Sequence, residues 1–187
     1  MIHSVRFTAV LDTNVVYPVI IRDILLWFGH YDLYTPKWSE HIFEEWKNVM
    51  LAKGVEAAEA ENRIKKVNLA FPDALIQNYK GLIDKLELPD VDDRHVLAAA
   101  IKVNANLIVT NNIKDFPEQY LQSFGLSAKT ADDFLTDIID LNQEQAIAAY
   151  KEMILNKKNP KMNELEVLDQ IRKAGLKDAA HYLHALL

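Results

Sequence analysis

The sequence predicts an α/β fold: a central parallel sheet flanked by helices, with an all-helical extension at its C-terminal end. Three observations predict it. The runs VRFTAVL at 5–11 and NLIVT at 106–110 are short, β-branched and apolar throughout, as strands buried on both faces are. Between and after them, apolar residues recur at helical spacing. Acids follow just past both runs, Asp12 after the first and Asp115 beyond the second, on the rim where such sheets carry their chemistry.

Taken in order, Val5 to Leu11 reads as the first strand. Thr13 or Asn14 caps a helix that runs through about Gly29, with Pro18 tolerated in its first turn. Asp32 to Thr35 reads as a short strand closed by Pro36. Ser39 starts a helix through about Leu51, with Ile42, Phe43, Trp46 and Val49 on one face and Glu45 at its edge. Val55 to Ala70 and, past the breaker Pro72, Asp73 to Leu86 read as two more helices. Asp90 or Asp92 opens the alanine-rich helix DRHVLAAAIKVN. Asn106 to Thr110 is a buried strand, Phe116 to Phe124 a short helix ended by Gly125, and Leu126 to Lys129 another short strand. From Thr130 the segments are helical with no strand between them. Thr130 and Asn142 are caps, Pro160 starts the next helix, and NKKNPK at 156–161 is the candidate hinge. The chain therefore divides at 1–129 and 130–187, the second part an extension on one core or a unit of its own.

Composition narrows the chemistry. Of 187 residues, 50% are hydrophobic and 26% charged, the balance of an ordinary globular protein. No run is long enough to span a bilayer, and the start lacks the order of a signal peptide, so a cytoplasmic location is expected. The absence of Cys removes disulfides, thiolate metal sites and Cys nucleophiles. With five Gly and no GxGxxG or GxxxxGK[ST], a glycine-rich nucleotide loop is excluded. A net charge of −6 weighs against tight nonspecific nucleic-acid binding but leaves room for a local basic rim.

Acids without Cys, gathered at a sheet rim, make a hard-cation site suited to Mg²⁺ or Mn²⁺. Each acid also has a plainer reading. Asp12 is placed to act as a turn or cap residue. Glu45 has Glu40 and Glu44 beside it, as on a solvated helix edge. Asp90 and Asp93 suit a helix N-terminus, and Asp115 suits a turn. The joint order says more: strand-Asp-Thr-Asn, helix-Glu, Asp at a helix start, then strand-Thr-Asn-Asn with Asp further on.

In that order, VLDTNV at 10–15, SEHIFEEW at 39–46, DVDDRHVLAAA at 90–100 and LIVTNNIKDFP at 107–117 resemble the PIN-domain family, in particular its toxin-like VapC branch. The resemblance covers roughly residues 5–129. It implies a PIN-like three-layer fold and a metal-dependent endoribonuclease of the toxin–antitoxin kind, in which a metal-activated water hydrolyses RNA phosphodiester bonds. Carried over by position, the catalytic acids are Asp12, Glu45 (preferred over Glu44), Asp93 and Asp115. The metal ligands are Asp12, Asp93, Asp90 and Asp115, holding Mg²⁺ or Mn²⁺. Asn14, Thr110 and Asn112 support them.

One position departs from the pattern. Many relatives carry Asp two residues after the Thr, where this chain has Asn112, so either Asp115 supplies the fourth acid or Asn112 orients a water. The partners implied are RNA, an antitoxin protein and a second copy of the chain, with no membrane. His95 is read as surface or supporting. Lys65, Lys66, Lys80 and Lys114 are candidates for phosphate contact, and Tyr17, Trp27, Trp38 and Trp46 read as core aromatics. The alternative is a catalytically weak PIN scaffold that binds protein or RNA. Haloacid-dehalogenase phosphotransferases also open with a strand-end Asp, but they need a second Asp where this chain has Asn14.

Overall fold

A computed structural model describes residues 7–187. Its core is a five-stranded sheet, all parallel, in the order β3-β2-β1-β4-β5. The strands are β1 (Thr8–Leu11), β2 (Thr35–Ser39), β3 (Leu75–Ile76), β4 (Leu107–Val109) and β5 (Ser127–Lys129). Every parallel pair needs a crossover, and helices supply them. These are α1 (Thr13–Val16), α2 (Val19–His30), α3 (Glu40–Ala52), α4 (Ala57–Ala70), α5 (Lys80–Ile83), α6 (Arg94–Lys102) and α7 (Glu118–Gln122). The winding runs outward from β1 in one direction and from β4 in the other. The crevice past the carboxyl ends of β1 and β4 is therefore the switch point at which such sheets bind their ligands. Asp12 and Thr110 stand there, one residue beyond each strand.

Several boundaries differ from the sequence reading, each for a local reason. The first strand begins at Thr8 among the described residues; Val5 and Arg6 lie outside them. The expected helix through Gly29 is two helices. Pro18 has no amide to donate and holds extended backbone (ψ 122°), so the chain turns there and restarts as α2. Asp12 itself, not Thr13 or Asn14, caps α1 by accepting from the Thr13 amide.

The second strand does not close at Pro36 but runs through it. The Trp38 amide faces β3, donating to the Ala74 carbonyl at 3.1 Å. Pro36, two residues back, faces the same side before β3 begins to pair, so its missing amide costs no ladder bond. Gly29 lets the end of α2 lie close over this proline: a Cβ there would sit 3.0 Å from Pro36 Cγ.

The expected helix over Asp73 to Leu86 is instead β3, a turn with Asn78 at φ 59°, and the single helical turn α5. Neither Asp90 nor Asp92 starts α6. The Asp90 carboxylate accepts from the Asp92 amide in a local turn, and Asp93 holds the cap position.

Beyond β5 lie α8 (Ala131–Leu141), α9 (Gln143–Asn156), α10 (Glu164–Lys173) and α11 (Lys177–Leu186). Thr130 and Asn142 cap α8 and α9 as expected. Pro160 does not start α10. Asn163 does, through a capping box with Glu166, while Pro160 sits in a turn closed by a Lys158–Lys161 bridge. These helices share one continuous buried cluster with the α/β part. α9 lies against α2, α8 against β5 and α11. Lys157 pairs with Asp23 of α2 at 3.1 Å, and the Gln145 amide donates to the Tyr31 carbonyl.

Candidate active site

Asp12 is 4% exposed at the tip of β1, and donors hold both its oxygens. Oδ1 accepts from the Thr13 amide at 2.6 Å; Oδ2 accepts from the Thr110 hydroxyl at 2.8 Å and from the Asn14 amide. The Asn14 amide also donates to Thr110 Oγ1 at 2.9 Å, and the Asn112 backbone N–H donates to that same oxygen at 3.0 Å. Thr110 thus uses its one proton and both lone pairs. Burial pushes the Asp12 carboxyl up from its ordinary value, and the bonds from Thr110 and Thr13 only partly offset it.

Glu45 comes in from α3. Helical spacing turns it inward beside the buried Trp46, while Glu44 points to solvent. Its Oε2 accepts from the Thr13 hydroxyl and its Oε1 lies 3.0 Å from His95 Nε2. Burial works to raise the Glu45 carboxyl, but the bonds from His95 and Thr13 prevail and hold it below its usual range. His95 is not a surface residue: it is 6% exposed, its ring 4.9 Å from that of His41. Sequence reasoning missed Thr13 and His41 as neighbours of Glu45. The signal was weak, since a Thr after a strand-end Asp and a His one turn before a Glu are common.

The third group is a carboxylate cluster. Asp90, Asp93 and Asp115 each place one oxygen within 4.8 Å of the others. Asp93 is half-buried at the start of α6, and its Oδ2 is buried without a hydrogen-bond partner. Burial, then the charges of Asp12, Asp90, Asp115 and Glu45, push its carboxyl up to about 6. Asp115 ends the 3₁₀ turn Ile113–Asp115, and the Asn112 amide donates to its Oδ2. At the position where the resemblance expected an acid, Asn112 therefore holds one. Asp12 stands beside the cluster, near enough to be the largest charge effect on Asp93, with its own oxygens already engaged.

Of the candidate lysines, Lys114 lies in the same turn as Asp115, and Lys80 is 3.5 Å from Glu40. Trp38 and Trp46 are buried, and Tyr17 and Trp27 half-buried against the same core.

A strand-end Asp, a helix Glu and an Asp cluster around one switch point suit the binding of a divalent cation. The family model described as PIN domain matches residues 8–114, which include Asp12, Glu45, Asp90 and Asp93 and end one residue before Asp115. The chain belongs to the PIN-domain family. A second model, described as VapC50 C-terminal domain, matches residues 131–185, the helices that follow this PIN domain. A protein of Mycobacterium tuberculosis (strain ATCC 25618 / H37Rv) named "Putative ribonuclease VapC50" is 39% identical over 79 residues. The match covers 42% of this chain and 47% of that protein, so the chain spans about half the length of this relative. No solved structure matches.

Proposed function

We propose that this PIN domain is a metal-dependent endoribonuclease, the toxin of a toxin–antitoxin pair, using Mg²⁺ or Mn²⁺. The observation that carries the reading is Asp93: a carboxylate oxygen buried without a donor, beside two further carboxylates within 4.8 Å. Ionised and unpaired, such a group raises its pKa, as Asp93 does. A hard divalent cation relieves both the repulsion and the missing partner, so the residues fit one. Family membership and the relative's printed name support the same reading.

Asp90, Asp93 and Asp115 would hold the cation, with Asp12 adding charge beside them. Such a cation supplies Lewis-acid neutralisation of the phosphate and acidifies a water at neutral pH. Asn112 fixes Asp115, and Thr110 with Asn14 fixes Asp12. Glu45, kept ionised by His95 and Thr13, takes the proton of the attacking water as the water oxygen bonds to phosphorus and the P–O3′ bond breaks, and the leaving 3′-oxygen takes a proton from solvent. Single-stranded or structured RNA is the substrate class.

An antitoxin segment carrying Arg or Lys would suit the cluster, since a cation from a partner pairs well with gathered carboxylates. The chain acts as a homodimer in the cytoplasm; among the described residues no helix is long and apolar enough to cross a membrane. Residues 1–129 form the catalytic part and 130–187 the extension packed on it. The test is cleavage of total RNA and of tRNA with Mg²⁺, Mn²⁺ or EDTA. Wild type should cleave only with metal, and Asp12→Asn should not cleave. A folded wild type inert under all conditions would favour the scaffold reading, in which the PIN core only binds.

A further inference from the structure

Glu45 presents an unusual combination. Its side chain is 39% exposed, yet each carboxylate oxygen already has its own donor within the protein. A half-exposed Glu ordinarily samples many rotamers, and its three torsions are among the costliest to order. Here the Thr13 hydroxyl, from the turn after β1, takes Oε2. The His95 imidazole, from the first turn of α6, takes Oε1 at 3.0 Å. A carboxylate has about four acceptor sites, so two donors hold its plane and leave lone pairs free on the exposed side.

The donor on the α6 side is itself held. His95 is 6% exposed and packs on the His41 ring at 4.9 Å, and the His41 amide in turn donates to the buried Tyr79 hydroxyl at 3.3 Å. The Nδ1 atoms of His95 and His41 are both buried without a protein partner. An apolar side chain of similar size would fill this space without that cost, so packing alone does not account for histidine here.

We propose that His95 is a positioning residue, which together with Thr13 clamps the Glu45 carboxylate from both sides in the orientation the hydrolysis uses. This rests on the ribonuclease reading above. His95 lies two residues past Asp93 on the same helix start, so the clamp also fixes the helix that carries Glu45 against the one that carries Asp93. It requires a donor at the Nε2 position, not an imidazole as such.

The test compares full-length wild type, His95→Leu and His95→Gln, all confirmed as folded. His95→Leu keeps the bulk and loses the donor; kcat should fall by about 10- to 100-fold with KM for RNA little changed. His95→Gln restores an N–H donor and should recover most of that loss. If His95→Leu does not fold, Thr13→Val against Thr13→Ser makes the same comparison from the other oxygen. A second readout needs neither metal nor substrate. In ¹⁵N-histidine spectra of the metal-free protein, the His95 Nε2–H signal should exchange slowly, and Glu45→Ala should abolish it.

An active wild type with His95→Leu at the same kcat overturns the clamp alone. So does a His95→Gln as slow as His95→Leu, or the absence of a slow Nε2–H signal in wild type. A wild type that cleaves no RNA overturns the ribonuclease reading, and the catalytic use of the clamp with it.

Discussion

Asn14 and Thr110 are 96 residues apart in the chain and 2.9 Å apart in space, and both donate to the same oxygen of Asp12. The contact ties the turn after β1 to the end of β4 at the switch point. Thr110 has no spare hydrogen-bonding capacity, because it also accepts from the Asn112 amide. Thr110→Val, nearly the same shape, should cost about 2–3 kcal/mol by leaving buried donors and a carboxylate short of a partner. It should also abolish cleavage. Thr110→Ser should keep cleavage and lose only about 1 kcal/mol, for the buried methyl it lacks. Urea unfolding and the RNA assay check this; a Val variant as stable and active as wild type contradicts it.

The metal-free protein should lose stability as pH rises from about 4 to about 6. Folded Asp93 titrates near 6, above its value of 3.8 in an unconstrained chain, so across that window the folded state holds a proton the unfolded state has released. Glu45, held below its usual range, acts in the opposite sense: its contribution is present above about 4.5 and is lost as pH falls through its folded value. Asp93→Asn isolates the first effect. A two-unit shift corresponds to about 3 kcal/mol; discounted for the solvent that reaches a half-buried group, the gain at pH 7 should be about 1 kcal/mol. It should vanish below pH 4. Denaturant unfolding in EDTA at the two pH values measures it, and equal gains at both would contradict it.

Arg22 should matter to the site without touching it. Its guanidinium donates to the Val16 and Tyr17 carbonyls at 3.0 and 3.3 Å, satisfying the end of α1, and stacks over Trp46 with 4.8 Å to the ring centroid. It so braces the turn that carries Thr13 and Asn14 against the helix that carries Glu45. Arg22→Leu keeps much of the apolar stem but not the donors, and should cost about 2–3 kcal/mol. Thermal unfolding checks it; a loss below about 0.5 kcal/mol would place Arg22 with ordinary surface residues.

Deleting residues 130–187 should give insoluble protein. α2 packs Ile21, Ile24, Leu25 and Phe28 inward, each 2% exposed or less, and α9 lies against that helix. Uncovering even part of this face forfeits about 1.5–3 kcal/mol per side chain, and a few such losses exceed the 5–15 kcal/mol total of a typical domain. A soluble, cooperatively folding 1–129 fragment would show instead that the extension is dispensable to the core.

Much of the fold was legible because its signals are local. Leu107–Val109 is a short, β-branched apolar run of the kind buried strands have, and Thr130 and Asn142 are cap residues at the start of periodic segments. β3 was not legible. Leu75–Ile76 is two residues long, too short for any period to register, and the residues around it mimic a helix. Pro36 misled because a proline's tolerance in a strand depends on whether a neighbour needs its amide, which only the sheet shows. At the site, the order of acids pointed to Asp12, Glu45, Asp93 and Asp115. The sequence does not show that Glu45 meets His95 fifty residues on, nor that Asn112 serves Asp115.

In the proposed ribonuclease, Asp90, Asp93 and Asp115 hold a divalent cation that cleavage requires. Calorimetric titration of the metal-free protein with Mn²⁺, wild type beside Asp93→Asn and Asp115→Asn, tests it most directly. Saturable binding is expected in wild type, weakened by at least tenfold in each variant in step with lost cleavage. Equal Mn²⁺ affinity in all three proteins, or RNA cleavage that persists in EDTA, would contradict it.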